Sequence, residues 1–440
     1  MAQKVCMPVL SSDPSDTNRV FLLLQGPHGP FFWSLGKMLK SAGADVWRVG
    51  FNAGDRAFWF SKSSFIPYTD SPDAWPERLE EIISEKGVTD LVLYGDTRPV
   101  HALAIERAKA RGLTVHVFEE GYIRPYWVTY ERDGSNGHSV LMDLTVDEMS
   151  DALNEIEHDP IETPALWGDM KEHIFYGALY HWFVIFRNSS FKNYRGHREL
   201  PVHREFLLYF KRLMMMPTHW ISRALRTRAI LGAGHPFHIA LLQIEHDTSF
   251  LFHSPYATMT EFMADVIDGF AKGAPKHHHL VFKAHPLEND RRNLKHEIKR
   301  LAGEHGLQDR VHFVRGGKLQ KLLSNARSAV TVNSTAGQQA LWLGLPIRTL
   351  GSAVYNKPEF VSTQPLEEFF RAPTRPNAQA YSTYRHFLLE TSQVAGGFYS
   401  HRGRKRLLRL VVDLMLAKES PDTALLSGTA SPRPPLRLVK

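Results

Sequence analysis

The chain has 440 residues and a mass of 50.2 kDa, room for two or three domains of roughly 150 residues each. Hydrophobic residues make up 43% and charged residues 22%, which excludes wholesale disorder, and the single cysteine, Cys6, excludes a disulfide framework and a cysteine-built zinc cluster. With 53 Lys and Arg against 46 Asp and Glu the net charge is +7, which favours an anionic partner without choosing among nucleic acid, membrane and phosphorylated substrate.

The N-terminus, Met1 to Asp16, has no apolar core of signal-peptide length. From Arg19 onward the chain alternates. Arg19 to Leu24 reads as a strand, Phe31 to Ser41 as a helix, Asp45 to Phe51 as a strand and Ala74 to Lys86 as a helix. Leu91 to Tyr94, Val100 to Arg111 and Thr114 to Phe118 repeat strand, helix, strand. Short apolar runs separated by helices indicate a parallel sheet covered on both faces, whose ligand crevice lies at the carboxyl ends of the strands. The longest apolar stretches, such as Ala178 to Phe186, fall short of the ~20 residues of a membrane span, so a cytoplasmic chain is expected. A second alternating block has strands at His238 to Ile244, Leu280 to Lys283, Val311 to Val314, Ala329 to Val332 and Ile347 to Leu350. Helices are expected at Tyr256 to Ala271, Asp290 to Ala302, Lys318 to Asn325 and Ala336 to Leu343, with more after residue 365 and a mobile tail from Glu419 to Lys440. The fold class is therefore α/β, with two Rossmann-like lobes of the GT-B-like type and an active-site cleft expected between them. The expected domains are 1–150, a helical basic insertion at 151–235, a second lobe at 236–365, helices at 366–418 and the tail.

The positive charge is local. Phe183 to Gly232 holds ten Lys and Arg against Glu199 and Glu205, a net of +8, and His401 to Lys418 holds six against Asp413, a net of +5, so the rest of the chain carries −6. Between Phe183 and Gly232 the cations alternate with Phe206, Leu207, Phe210, Met214 and Trp220, and Pro217 divides the stretch into two short helices. Cationic helices with bulky apolar partners suit an anionic membrane surface, and Arg195, Arg198, Lys211 and Arg212 are the candidate contacts. The alternative is a solvated basic face packed on the protein's own core. No nucleic-acid-binding module is recognisable.

Four loops carry the candidate chemistry. Gln25-Gly26-Pro27-His28-Gly29-Pro30 follows the first strand, where two glycines allow close backbone approach to a ligand. Glu119-Glu120-Gly121-Tyr122-Ile123-Arg124-Pro125 puts adjacent carboxylates at a strand's carboxyl end, suited to a base or nucleophile, with Arg124 able to hold a carboxylate or phosphate. Lys283-Ala284-His285-Pro286-Leu287-Glu288 sits between a strand and a helix, where His285 and nearby amides suit a phosphate and Glu288 a ribose hydroxyl. Asn333-Ser334-Thr335-Ala336-Gly337 repeats that arrangement, with an ordinary N-cap by Ser334 or Thr335 as the alternative. His277, His278 and His279 alternate faces on a strand and cannot converge on a metal, so neither a metal nor a cofactor is expected. The Gly-x-Gly-x-x-Gly, Walker and Gly-x-Ser-x-Gly patterns are absent.

These four motifs, in consistent order over about residues 19–350, resemble the capsule polysaccharide biosynthesis and export family, and within it the KpsS-type members. The resemblance implies a retaining glycosyltransferase that moves β-Kdo from CMP-β-Kdo to a phosphatidylglycerol-type lipid, working as a peripheral protein on the cytoplasmic face of the inner membrane. Other capsule synthesis or export proteins are implied as partners. Retention through two displacements needs a carboxylate nucleophile, for which Glu120 is the first candidate and Glu119 or Asp247 the alternatives. Chain-extending relatives carry Glu-Asp-Gly where this chain has Glu-Glu-Gly. Gln243 and Asp247 are expected at the donor site with His285, Pro286, Glu288, Asn333, Ser334, Thr335 and Gly337; Gln25, Gly26, His28, Gly29 and Arg124 are expected at the substrate site. The competing readings are a non-catalytic protein that binds lipid-linked polymer, and a nucleotide-sugar transferase with another acceptor.

Overall fold

A computed structural model of the chain describes residues 19–154, 170–194, 207, 224–286, 288, 293–315 and 318–430. They form two compact units, one from residues 1–203 with 385–440 and the other from residues 204–384.

The first unit begins with β1 (Val20–Leu23), α1 (Phe31–Ser41), β2 (Asp45–Gly50), α2 (Ala53–Ala57) and β3 (Phe65–Pro67). It continues through α3 (Trp75–Lys86), β4 (Asp90–Tyr94), α4 (Pro99–Ala110), β5 (Thr114–Glu120), β6 (Trp127–Arg132), α5 (Val146–Asn154) and α6 (Met170–Phe186). The second unit contributes β7 (Phe237–Leu241), α7 (Thr248–His253), α8 (Met259–Gly273), β8 (His279–Ala284), α9 (Leu294–Glu304) and β9 (Val311–Arg315). It is completed by α10 (Leu319–Leu323), β10 (Ser328–Thr331), α11 (Ala336–Trp342), β11 (Ile347–Thr349) and α12 (Leu366–Arg371). Then α13 (Ala378–Thr391) leads the chain back to the first unit, which gains β12 (Gln393–Ala395), α14 (His401–Leu416) and α15 (Pro421–Leu426).

The first sheet has the order β12-β6-β5-β4-β1-β2-β3, with β1 to β5 parallel and β6 and β12 added antiparallel. One face packs Phe21, Leu23 and Val92 against Phe31 and Leu35 of α1 and Leu407 and Val411 of α14. The other packs Leu22, Leu91 and Val117 against Leu79 and Ile82 of α3 and Ala104 of α4. Burial on both faces is why these strands read as unbroken apolar runs. The second sheet, β11-β10-β7-β8-β9, is wholly parallel, and α8 lays Phe262, Val266 and Phe270 on it. Two side chains cap the start of α8: Thr258 Oγ1 accepts from the Glu261 amide, and Glu261 Oε2 accepts from the amide of Ala257, one residue before the N-cap. Both units are thus Rossmann-like, and the α/β class expected from the alternation is borne out.

Three differences bear on the site. The strand expected to end at Phe118 runs to Glu120, because β6 pairs antiparallel through Glu119–Thr129 and Glu120–Val128. The helix expected from Asp290 begins at Leu294, and ahead of it the Glu288 amide donates to the His285 carbonyl. The stretch after Glu419, expected as a mobile tail, forms α15, where Ser420 Oγ accepts from the Thr423 amide and Ala424 and Leu425 are buried. A serine followed by proline there is a helix start. Residues 431–440 lie outside the described residues, as does Pro217 with its two expected helices.

Two histidines are sealed within these sheets. His116 bonds Tyr130 and Asp90, yet burial holds its pKa down to about 4; burial and then His278 hold His238 at about 3. An unfolded imidazole takes its proton near 6.5, so between the two values the unfolded chain binds more protons. Their contribution is complete above pH 6.5 and is lost as pH falls through that window. Stability to urea, followed by tryptophan fluorescence, should drop by roughly 2 kcal/mol per histidine between pH 7 and pH 5. A flat profile there would contradict the neutral assignment.

Candidate functional site

In the first sheet the chain leaves β1 towards β2 and β3, and only later fills the opposite side with β4 and β5. The loops after β1 and β4 therefore diverge at a topological switch point, where open parallel sheets bind ligands. Gln25 lies buried in the β1 loop; its carbonyl accepts from the Tyr94 amide at 3.1 Å, and its Oε1 accepts from Arg98 of the β4 loop at 3.4 Å. Gly29 turns the chain at a φ of +105° while pressed against the Tyr176 ring, a position that excludes a side chain twice over. His28 meets Tyr180 and His181 of α6, tilted on the first ring and edge-on to the second, with centroids 4.5 and 5.1 Å away.

Glu119 and Glu120 are consecutive strand residues, so their side chains take opposite faces of the sheet. Glu119 Oε1 accepts the Glu120 amide at 2.9 Å, and its other oxygen sits beside Gly95. Glu120 Oε1 accepts from the hydroxyls of Tyr94 at 3.3 Å and Tyr399 at 3.4 Å. Burial, and then the Glu120 charge, push both tyrosine hydroxyls well above their ordinary range, so they remain protonated donors. Both bonds exceed the ~2.5–3.0 Å of a tight O–H···O contact; they aim Glu120 without clamping it. His173 of α6 lies flat on the Tyr399 ring, 4.0 Å between centroids. Gly121 must be glycine, since a Cβ there would strike the Trp127 carbonyl. The amides of Tyr122 and Ile123 donate to Gln393 Oε1 on β12, and Arg124 turns back to donate to the Gly121 carbonyl at 3.1 Å.

Beneath the β1 loop, the buried Asp55 carboxylate accepts from Gln25, Arg48, Tyr180 and the Phe51 amide at 3.0 to 3.3 Å. Asn52 caps α2 on the Asp55 amide and donates to the Tyr180 hydroxyl at 2.8 Å. One buried acid thus ties α6 to the loop holding Gln25.

The second sheet has its switch point between β7 and β10. Gln243 follows β7 by two residues, as Gln25 follows β1, and its amide also bridges to the neighbouring loop. It donates to Asn333 Oδ1 at 2.7 Å and accepts the Asn333 amide at 3.0 Å; Asn333 donates in turn to the carbonyls of Ser249 and His253. These two side chains, expected at the donor, are buried and satisfied by the protein. Asp247 is exposed ahead of α7. Ser334 Oγ accepts the Ala336 amide at 3.2 Å, Thr335 occupies the N-cap position of α11 without a side-chain cap, and Gly337 lies against Tyr355. His285, exposed Pro286 and Glu288 follow β8 on the same edge. His278 meets His238 at 3.1 Å and His279 meets His312 at 2.7 Å, pointing apart as the alternation predicts.

Tyr94, Arg98, Asp55, Gln393 and Tyr399 were not singled out from the sequence. The one signal for Tyr399 is its place after Gly396-Gly397-Phe398, just before a helix capped by Ser400. Arg195, Arg198, Lys211 and Arg212 lie outside the described residues. Among the described residues no helix is long and apolar enough to cross a membrane.

Two Rossmann-like units, each with a switch point in its parallel strands, define an α/β protein of the doubly wound class. Residues 89–399 match the sequence model of the family described as capsule polysaccharide biosynthesis protein, and the chain belongs to that family. It is 29% identical over 384 residues to the capsule polysaccharide export protein KpsS of Escherichia coli, covering 87% of this chain and 97% of that one. It is 30% identical over 387 residues to the capsule polysaccharide modification protein LipB of Neisseria meningitidis serogroup B, covering 86% and 91%. Among solved structures, Thermosulfurimonas dismutans KpsC, a beta Kdo 2,7 transferase, aligns with a TM-score of 0.42 at 13% identity, covering 89% of this chain and 99% of that one. The resemblance read from the motifs is borne out.

Proposed function

We propose that the protein is a retaining glycosyltransferase that moves β-Kdo from CMP-β-Kdo to a (lyso)phosphatidylglycerol acceptor, starting the lipid linker of a capsular polysaccharide. The observation that carries this reading is Glu120, a carboxylate side chain at a strand's carboxyl end, aimed by the hydroxyls of Tyr94 and Tyr399. A nucleophile for double displacement needs a carboxylate and freedom of approach. Glu120 attacks the anomeric carbon and releases CMP; the acceptor hydroxyl then displaces Glu120, giving its proton to a base and restoring the original configuration. In the second unit, His285 and the amides around Ser334 and Thr335 hold the CMP phosphate, and Glu288 a ribose hydroxyl. Arg124, exposed at the end of the carboxylate motif, pairs with the sugar's carboxylate. The protein acts as a peripheral protein at the cytoplasmic face of the inner membrane.

The test is to incubate the purified protein with CMP-Kdo and lysophosphatidylglycerol and search by mass spectrometry for a one-sugar adduct. The adduct is expected, with release of CMP. CMP release without the adduct would move the acceptor elsewhere, and neither product would make this a binding protein.

A further inference from the structure

The helix α6 has an apolar side that the described residues leave exposed. Its inner side carries His173, Tyr176, Tyr180 and Val184, packed on the loops and the Asp55 network described above. Its outer side carries Met170, Ile174, Phe175, Trp182 and Phe186, with relative exposures of 67, 58, 59, 43 and 66%. At 100° per residue these five fall within about 160° of arc, along a helix roughly 25 Å long. An exposed apolar strip of that extent marks a docking surface.

We propose that this outer side of α6 is the surface by which the protein lies on an anionic phospholipid bilayer. The occupant follows from the charge around the strip. Lys171 within it, and Arg187 and Lys192 just beyond its end, are all exposed. Next to α6 runs α14, whose Arg404 guanidinium stands 6.0 Å from the Tyr176 ring centre and whose Arg402 and Lys405 are exposed. Cations thus stand within the strip and at its end on α6, and α14, from the second cationic segment of the chain, reaches the same helix from its inner side. A second copy of the chain would bring like charges face to face, which opposes association; an anionic headgroup layer neutralises them while Trp182 and the phenylalanines enter the interface. Bilayer contact on the outer side puts the membrane one helix diameter from the His173–Tyr399–Glu120 column on the inner side. This deepens the lipid-acceptor reading above, and its test uses neither sugar donor nor turnover, so each can fail alone.

The full chain carrying Cys6→Ser and Phe175→Cys, labelled with an environment-sensitive fluorophore, is mixed with vesicles of about one-third phosphatidylglycerol in phosphatidylcholine. Emission should shift to the blue with these vesicles, and much less with phosphatidylcholine alone or at high salt. In parallel, Phe175→Glu with Trp182→Glu should weaken cosedimentation with the anionic vesicles at least tenfold while leaving the urea midpoint unchanged, because both side chains are exposed. Emission already blue without vesicles and unmoved by them would mean that another segment or a second copy covers the strip, and would overturn the proposal. So would equal cosedimentation of the double variant and the unmodified chain.

Discussion

Replacing Glu120 with Gln is expected to lower sugar transfer by at least about 10³-fold while CMP affinity, read by calorimetry, stays within about threefold. The amide keeps an acceptor oxygen for the Tyr94 and Tyr399 hydroxyls, so the fold has no reason to change; what disappears is the charge. Glu119→Gln and Asp247→Asn complete the comparison. Glu119 faces the other side of the strand and holds the Glu120 amide, so its loss should act through the position of Glu120 and cost much less. Asp247 belongs to the second unit and stands exposed. If Asp247→Asn abolishes transfer and Glu120→Gln does not, the nucleophile is in the second unit and the first-unit assignment is wrong.

Removing the Asp55 carboxylate should give the largest change in stability. Its partner Arg48 is buried as well, with side-chain exposures of 6% and 1% for the pair, and lies over the Phe32 ring. Burial lowers the pKa of that guanidinium, and Asp55 is the chief opposing influence. Asp55→Ala therefore leaves a buried cation without its counter-charge, along with the donors of Gln25, Tyr180 and the Phe51 amide, and is expected to cost about 3–5 kcal/mol in urea unfolding. Arg48→Met combined with Asp55→Ala removes both charges and should recover more than half of the loss, because an apolar replacement of a buried pair is far cheaper than a broken one. A single-variant loss below about 1 kcal/mol would show that water reaches the pair and that it does not tie down α6.

How much of this was legible in the chain depended on distance. Strands buried on both faces announce themselves as apolar runs, and all of those expected in the two sheets occur within a few residues of their expected ends. Three strands of the first sheet were missed: β6, which follows β5 after a short turn, and the edges β3 and β12 with three residues each; β12 finds its partner Thr129 only after the whole second unit has intervened. Position at a strand's carboxyl end was enough to single out Glu119 and Glu120. One of the two tyrosines that aim Glu120, Tyr399, is 279 residues away, a contact that periodicity cannot carry. Gln243 and Asn333 illustrate the opposite problem. A polar side chain after a strand serves a ligand or the next loop, and only the geometry revealed that these two serve each other.

The returning segment also has a consequence in time. Residues 385–440 supply Gln393, which holds the amides after Gly121, and Tyr399, which aims Glu120. A chain growing on the ribosome emerges N-terminal part first, so the first unit begins to form early and waits through the synthesis of the entire second unit for its last strand. Until then β6 is an uncovered edge and Glu120 has one tyrosine in place of two. The unit begun first is completed last, and the carboxylate acquires its full setting only after the second unit has been made.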